Sequence, residues 1–314
     1  MKRFLLNVIA FVSILLLLSI ILELALFLRP NLYSYKRNYL ENHLNDIHTL
    51  LLGNSHIEEA LMPNIMSKGT FNIAISGKEL VYDVEIAKKY LPLMGNLRTV
   101  VIQLDYMGFH FNRGKTNEKE ERNNADLLSS TYRCMYYKYM GLRVDNFVYC
   151  SEILHSKLDY MSRFFKMDED ARECDSLGYV TRKLKDRHIG WENNNLPQII
   201  DVNTSIDWNL YNNLYDNYAL LSELTYKKNV NLVLLGTPMY ITYRSYMVPE
   251  VINEIKDFVE KLQKTYSNVY YFDYTYDEHF HEEDFIDSSH LSEEGAKKFS
   301  ILLNNDLKKL DALK

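Results

Sequence analysis

Three side chains in this sequence have the types and spacing of a nucleophile, a general base and an orienting acid. Ser55 closes Gly53-Asn54-Ser55, while Asp287 and His290 stand three apart in Asp287-Ser288-Ser289-His290. A serine hydroxyl is a poor nucleophile near neutral pH unless a base takes its proton. A carboxylate three residues before a histidine can meet the imidazole on one turn. It then orients the ring and stabilises its protonated form, leaving the other nitrogen for the hydroxyl. The plain alternative is a turn serine serving as a helix cap, with a surface histidine far away in sequence.

The surrounding elements decide whether these residues can meet. Residues 47–52 are a short apolar run stopped by Gly53, which reads as a buried strand, and a helical pattern begins at Ile57. A serine between a strand's end and a helix's start lies where an open parallel sheet presents its binding crevice, with helix amides favouring negative charge. Further strands are expected at 70–77, 99–105, 230–238 and 268–273, with helices over 78–93, 208–228, 249–266 and 292–310. Ser292-Glu293-Glu294 has the cap and acidic first turn of a helix start. Alternation of this length implies βαβ units, hence a three-layer α/β/α sandwich around a five-stranded parallel sheet. Strands one and five then end at the same sheet edge, so Ser55 can face His290.

The alternation breaks between about residues 106 and 206. A charged loop at 112–126 and a tyrosine-rich helical stretch at 131–165 read as a helical insertion placed after a strand end, over the crevice. Tyr132, Tyr136, Tyr137 and Tyr139 there could stack on sugar rings, but in a chain with 25 tyrosines helix packing is the simpler reading.

The chain has 314 residues, net charge −6 and 47% hydrophobic residues, enough for a membrane segment and one sizeable α/β domain. Mild acidity without a basic block argues against nucleic acid as a partner. Cys134, Cys150 and Cys174 form no C-x-x-C pair or disulfide framework, although one bridge among them is compatible with an oxidising compartment. The apolar run from Phe4 to Leu28 can cross a hydrocarbon core of about 30 Å as a helix. It lacks the small-x-small exit of a cleaved signal peptide, so residues 1–30 are expected to be an uncleaved anchor. Lys2 and Arg3 hold the N-terminus in the cytoplasm. Residues 31–46 are expected to be a stalk entering through a short helix, and 47–314 an extracytoplasmic domain.

On Gly53-Asn54-Ser55, Gly77 and Asp287-Ser288-Ser289-His290 the chain resembles the SGNH (GDSL-like) hydrolase superfamily over about residues 47–310. It looks most like the membrane-anchored branch that includes the teichoic-acid D-alanyl transfer protein and alginate O-acetylation proteins. The resemblance implies a flavodoxin-like sheet and a bacterial cytoplasmic-membrane location. It also implies an acyl esterase or O-acyltransferase working on an envelope or exported polysaccharide through an acyl-enzyme. Ser55 is then the nucleophile, His290 the base and acid, and Asp287 the orienter, with the backbone N–H groups of Ser55 and Gly77 as oxyanion donors. No cofactor is implied. A non-catalytic assembly partner of a multi-span membrane acyltransferase is the alternative. Two residues depart from the pattern. Asn54 replaces the usual aspartate, and Asp105 occupies the place of the asparagine after strand three. A carboxylate cannot donate to an oxyanion unless protonated. Either the hole has two donors, or another group fills in, or activity is low.

Four residues are further candidates for touching substrate: Asn54, Asp105 at a strand end, and Tyr243 and Arg244 after Thr237-Pro238. A turn carboxylate and surface loop aromatics are the bland readings of Asp105 and the pair. His279, His281, Glu283, Asp287 and His290 include metal-ligating types, but no second motif completes a site, so no metal is expected.

Overall fold

The strands form where short apolar runs meet a breaker. β1 (Thr49–Leu52) buries Leu50, Leu51 and Leu52 completely and ends at Gly53. That glycine has φ +135°, and a Cβ there would sit 2.7 Å from Ile57 and 3.0 Å from Gln103, so only glycine makes this exit. β2 (Thr70–Asn72), β3 (Thr99–Gln103), β4 (Asn231–Gly236) and β5 (Val269–Asp273) complete a sheet of order β2-β1-β3-β4-β5, parallel throughout. The two strands β3 and β4 are buried along their whole length, as strands covered on both faces must be.

This computed structural model describes residues 1–27, 32–78, 80–111, 174–194, 196, 199–200, 203 and 211–312. The expected loop at 112–126, the helical stretch at 131–165, its tyrosines, Cys134 and Cys150 lie outside them. Cys174 is a free thiol. The helices are α1 (Lys2–Phe27), α2 (Leu32–Asn42), α3 (Ser55–Glu58), α4 (Leu80–Tyr90), α5 (Tyr106–Phe111), α6 (Tyr211–Lys227), α7 (Ile241–Arg244), α8 (Pro249–Thr265) and α9 (Glu293–Asp311). The chain divides into two units: the α/β body begins at Lys36, and α1 belongs to the other. α1 is long and apolar enough to cross a membrane, a property that an anchor and a signal sequence share.

Helices cover both faces of the sheet. Leu51, Val101, Val233 and Leu235 share one core with Ile57 of α3 and Ala296, Phe299 and Leu303 of α9. The alternate residues Leu50, Leu52, Val100 and Ile102 are equally buried and point to the opposite layer by the two-residue period of a strand. In α8, Phe258 packs edge-on against Phe109 of α5 and Tyr215 and Tyr218 of α6.

Element boundaries differ modestly from expectation. β2 ends at Asn72, whose side chain donates to the carbonyls of Ile57 and Leu61. The helix after Ser55 is a single turn, not a long run. Within α2, Lys36 is fully buried on Glu58, and Tyr39 stacks on Phe71 at 4.5 Å.

Candidate active site

The strand order reverses between β1 and β3, the place where an open α/β sheet forms a crevice beyond its strand ends. Ser55 begins α3 immediately beyond β1. Asn54 caps that turn: its Oδ1 accepts from the His56 N–H at 3.1 Å, and its own N–H donates to Gln103 Oε1 at 3.1 Å. The cap residue is therefore Asn54, which leaves the Ser55 hydroxyl for another partner.

That partner is His290. The Ser55 Oγ lies 2.8 Å from His290 Nε2, across 235 residues of sequence. On the ring's other side Nδ1 is 3.0 Å from both oxygens of Asp287. Asp287 also accepts from the N–H groups of Ser289 and His290, each at 2.9 Å. With Nδ1–H donating to Asp287, Nε2 is the acceptor for the Ser55 hydroxyl. Burial works to neutralise both groups, yet their mutual attraction wins. Asp287 is held at about 2, below the usual carboxylate value, and His290 is raised above the usual imidazole value.

Among the solved structures that resemble this chain are the following two. One is a Streptococcus pneumonia protein provisionally described as a platelet activating factor, with 12% identity, TM-score 0.41, and 95% of this chain and 99% of that one covered. The other is a lipase/acylhydrolase from Enterococcus faecalis, with 11% identity, TM-score 0.39, and 84% and 96% covered. No family model and no curated protein matches the chain.

The turn that carries Ser55 is held by buried ions. Lys36 donates to Glu58 at 2.8 Å and to the Ala74 carbonyl at 2.5 Å, while Glu58 also accepts from Ser76 N–H and Oγ at 2.7 and 2.6 Å. Lys78 and Asp83 pair at 2.5 Å, and Asp83 accepts from the Gly53 N–H at 3.2 Å. Burial pushes Asp83 up to about 6 despite Lys78. The Ile75 N–H donates to the Gly53 carbonyl at 3.1 Å, so the loop ending in Gly77, at φ +71°, runs alongside the Ser55 turn. The backbone N–H groups of Ser55 and Gly77 have no hydrogen-bond partner among the described residues.

Two expected substrate contacts are corrected. Asp105 does not reach the crevice. It is buried, and its oxygens accept from His56 Nδ1 at 2.6 Å, Gly108 N–H at 2.7 Å, Gln103 Nε2 at 2.8 Å and Thr237 Oγ1 at 3.3 Å. Burial alone would raise its pKa, but His56 and these donors keep it below the usual value. Tyr243 is no surface aromatic: α7 turns it fully inward, and burial drives its pKa well above the ordinary tyrosine value. Arg244 stays partly exposed, its guanidinium 5.5 Å over the Tyr276 ring. Of the other histidines in the acidic loop, His279 bonds Asp277 at 2.6 Å and His281 caps the short turn Glu282–Asp284.

Sequence reasoning missed two parts of the site. Residues 174–194 brace the Asp287 loop: Arg187 bonds the carbonyls of Glu282 and Phe285, the Ser288 hydroxyl bonds the Asn194 carbonyl, and Trp191 packs on Tyr240. From the same segment, Arg182 reaches Glu59 at 2.7 Å. The second part is His56. Its ring contacts that of His290 edge-on, with centroids 4.8 Å apart and planes at 73°. The available signal was a histidine directly after Ser55 and an otherwise unexplained aspartate at the end of the neighbouring strand.

Proposed function

We propose that this chain is a serine acyl esterase or O-acyltransferase of the SGNH (GDSL-like) type. Its substrate is an acylated cell-envelope or exported polysaccharide, and its N-terminal helix tethers it to the bacterial cytoplasmic membrane with the α/β domain outside. The observation that carries this reading is the 2.8 Å contact between Ser55 Oγ and His290 Nε2, backed by Asp287 on Nδ1. In the reaction, Oγ attacks the acyl carbonyl as its proton passes to Nε2. The tetrahedral oxyanion forms beside the amides of Ser55 and Gly77 and then collapses, and the leaving oxygen takes the proton from His290. Water or a sugar hydroxyl resolves the acyl-enzyme by the reverse sequence, with His290 again as base. Asn54 and Arg244 are the proposed substrate contacts. α1 as anchor, rather than leader, supports a polymer substrate at the membrane surface.

A serine-reactive fluorophosphonate tests the reading. Wild-type protein labels at Ser55 and Ser55→Ala does not. Equal labelling of the two removes the enzyme. No labelling of either favours the second reading, a non-catalytic assembly partner of a multi-span acyltransferase, which the carboxylate at position 105 supports.

A further inference from the structure

An oxyanion needs hydrogen-bond donors, and Asp105, held as a carboxylate at the end of the strand beside Ser55, can only accept. We propose that His56 supplies the missing donor: its Nε2–H, on a ring held by Asp105, bonds the oxyanion that forms on Ser55. The inference rests on Ser55 being the nucleophile.

The geometry for this is already built. His56 Nδ1 lies 2.6 Å from Asp105 Oδ2, and Asp105 is fixed in turn by Gln103, Thr237 and the Gly108 N–H. An imidazole held through Nδ1 must turn Nε2 the other way. Nε2 of His56 has no partner among the described residues, yet it is not one of the fully buried orphan atoms. His56 is 5% exposed, and part of that exposure lies at Nε2. His56 follows Ser55 directly, and its ring rests against His290, which holds the Ser55 hydroxyl. As a donor at both ring nitrogens, His56 bonds Asp105 through Nδ1–H and offers Nε2–H beside Ser55. As the Oγ–carbon bond forms, the carbonyl π pair moves onto oxygen and the Ser55 proton goes to His290. His56 keeps its own proton and only shares it. Collapse restores the carbonyl and expels the leaving oxygen with the His290 proton.

The test compares His56→Phe, which keeps the ring contact and loses the N–H, with His56→Gln, which keeps an N–H donor. Both are measured in the full chain in detergent, by p-nitrophenyl acetate turnover and by the rate of fluorophosphonate labelling. The expected result is a loss of about 10²–10³ in kcat for His56→Phe, with KM little changed. His56→Gln should recover at least tenfold over His56→Phe. A His56→Phe enzyme as fast as wild type overturns the proposal, as does His56→Gln no better than His56→Phe. Should either variant not fold, ¹⁵N-histidine NMR of the wild-type protein decides. Formation of a phenylboronate adduct on Ser55 must move the His56 Nε2 proton downfield, and an unmoved signal overturns the donor. Wild-type protein that neither turns over nor labels overturns this inference and the enzyme reading together.

Discussion

Two acid–imidazole pairs meet beside Ser55 through their rings, and they are made differently. Asp287 and His290 are three residues apart on a single turn, with side chains 20% and 18% exposed. Asp105 and His56 come from the ends of adjacent strands β3 and β1, with side chains fully and almost fully buried. The first acid accepts mostly from its own loop. The second accepts from Gln103 and Gly108 in its own stretch and also from two remote ones, at His56 and Thr237. A ring that must take and return a proton benefits from an accessible second nitrogen and a modestly solvated counter-ion. A ring that must hold its orientation benefits from a dry, fully bonded acid. Identical chemical types thus suit opposite tasks: in the proposed reaction the local pair moves a proton, and the long-range pair fixes one.

Removing each ring breaks this comparison most directly. His290→Ala should lower ester turnover by about 10⁶, far beyond the effect expected at His56, because the base itself is gone. If His290→Ala and His56→Phe fall equally, the two pairs are not distinct in task. Asp287→Asn comes next, with an expected loss of about 10⁴, since the amide no longer orients the imidazole or balances its charge. It also carries a sign. Burial disfavours the His290 cation, and Asp287 more than offsets that, so the acidic limb of the wild-type pH–rate profile should lie above the ordinary imidazole value of 6.5. In Asp287→Asn the limb should move to lower pH. A limb that stays in place means another group governs it.

The distinction between local and long-range contacts also sets what the sequence could reveal. β1 was readable because Leu50, Leu51 and Leu52 run into a glycine, and α9 because Ser292 caps its N-terminus before two acids. The Asp287–His290 contact follows from a spacing of three. The approach of Ser55 to His290 follows from parallel strands ending at one edge. The His56–Asp105 pair needed the strand order β2-β1-β3, which places those two strand ends side by side, and no residue pattern encodes that order. Tyr243 was hidden for a similar reason. A residue past Thr237-Pro238 looks solvated until the one-turn helix α7 is seen to rotate it inward. Residues 174–194 have little hydrophobic periodicity, so their bracing of the terminal loop through Arg187 and Ser288 was illegible.

Between the two pairs lies the turn that carries Ser55, and its support can be removed without touching either. Lys36→Met leaves Glu58 buried with only the Ser76 donors. Stripping one partner from a buried ion pair costs about 3–5 kcal/mol. The expected result is a large fall in urea midpoint, with Ser55 labelling by fluorophosphonate slowed in whatever folded protein remains. Replacing both ends, Lys36→Met with Glu58→Leu, should recover part of the stability but not the labelling rate, because Ser76 and Gly77 lose their tie to α3. Full recovery of the rate would show that the ions serve stability alone.

The smallest effect is the acid titration of the local pair. Asp287 is pulled toward a high pKa by burial, but the His290 charge and the N–H groups of Ser289 and His290 hold it at about 2. Because the folded value lies below the ordinary 3.8, its contribution is present above pH 3.8 and is lost as pH falls toward 2. The shift corresponds to about 2 kcal/mol. His290 runs the other way: its folded value is raised, so its contribution is complete below 6.5 and is lost as pH rises through the folded value. These are two views of one interaction, which is therefore strongest between about pH 4 and 6.5. Urea unfolding of wild type and Asp287→Asn at pH 2.5, 5 and 8 isolates it. The stability gap between the two proteins should be widest at pH 5 and close toward both ends. A gap that does not vary with pH would mean that Asp287 is held by packing and backbone donors, and that the charge on His290 does not depend on it.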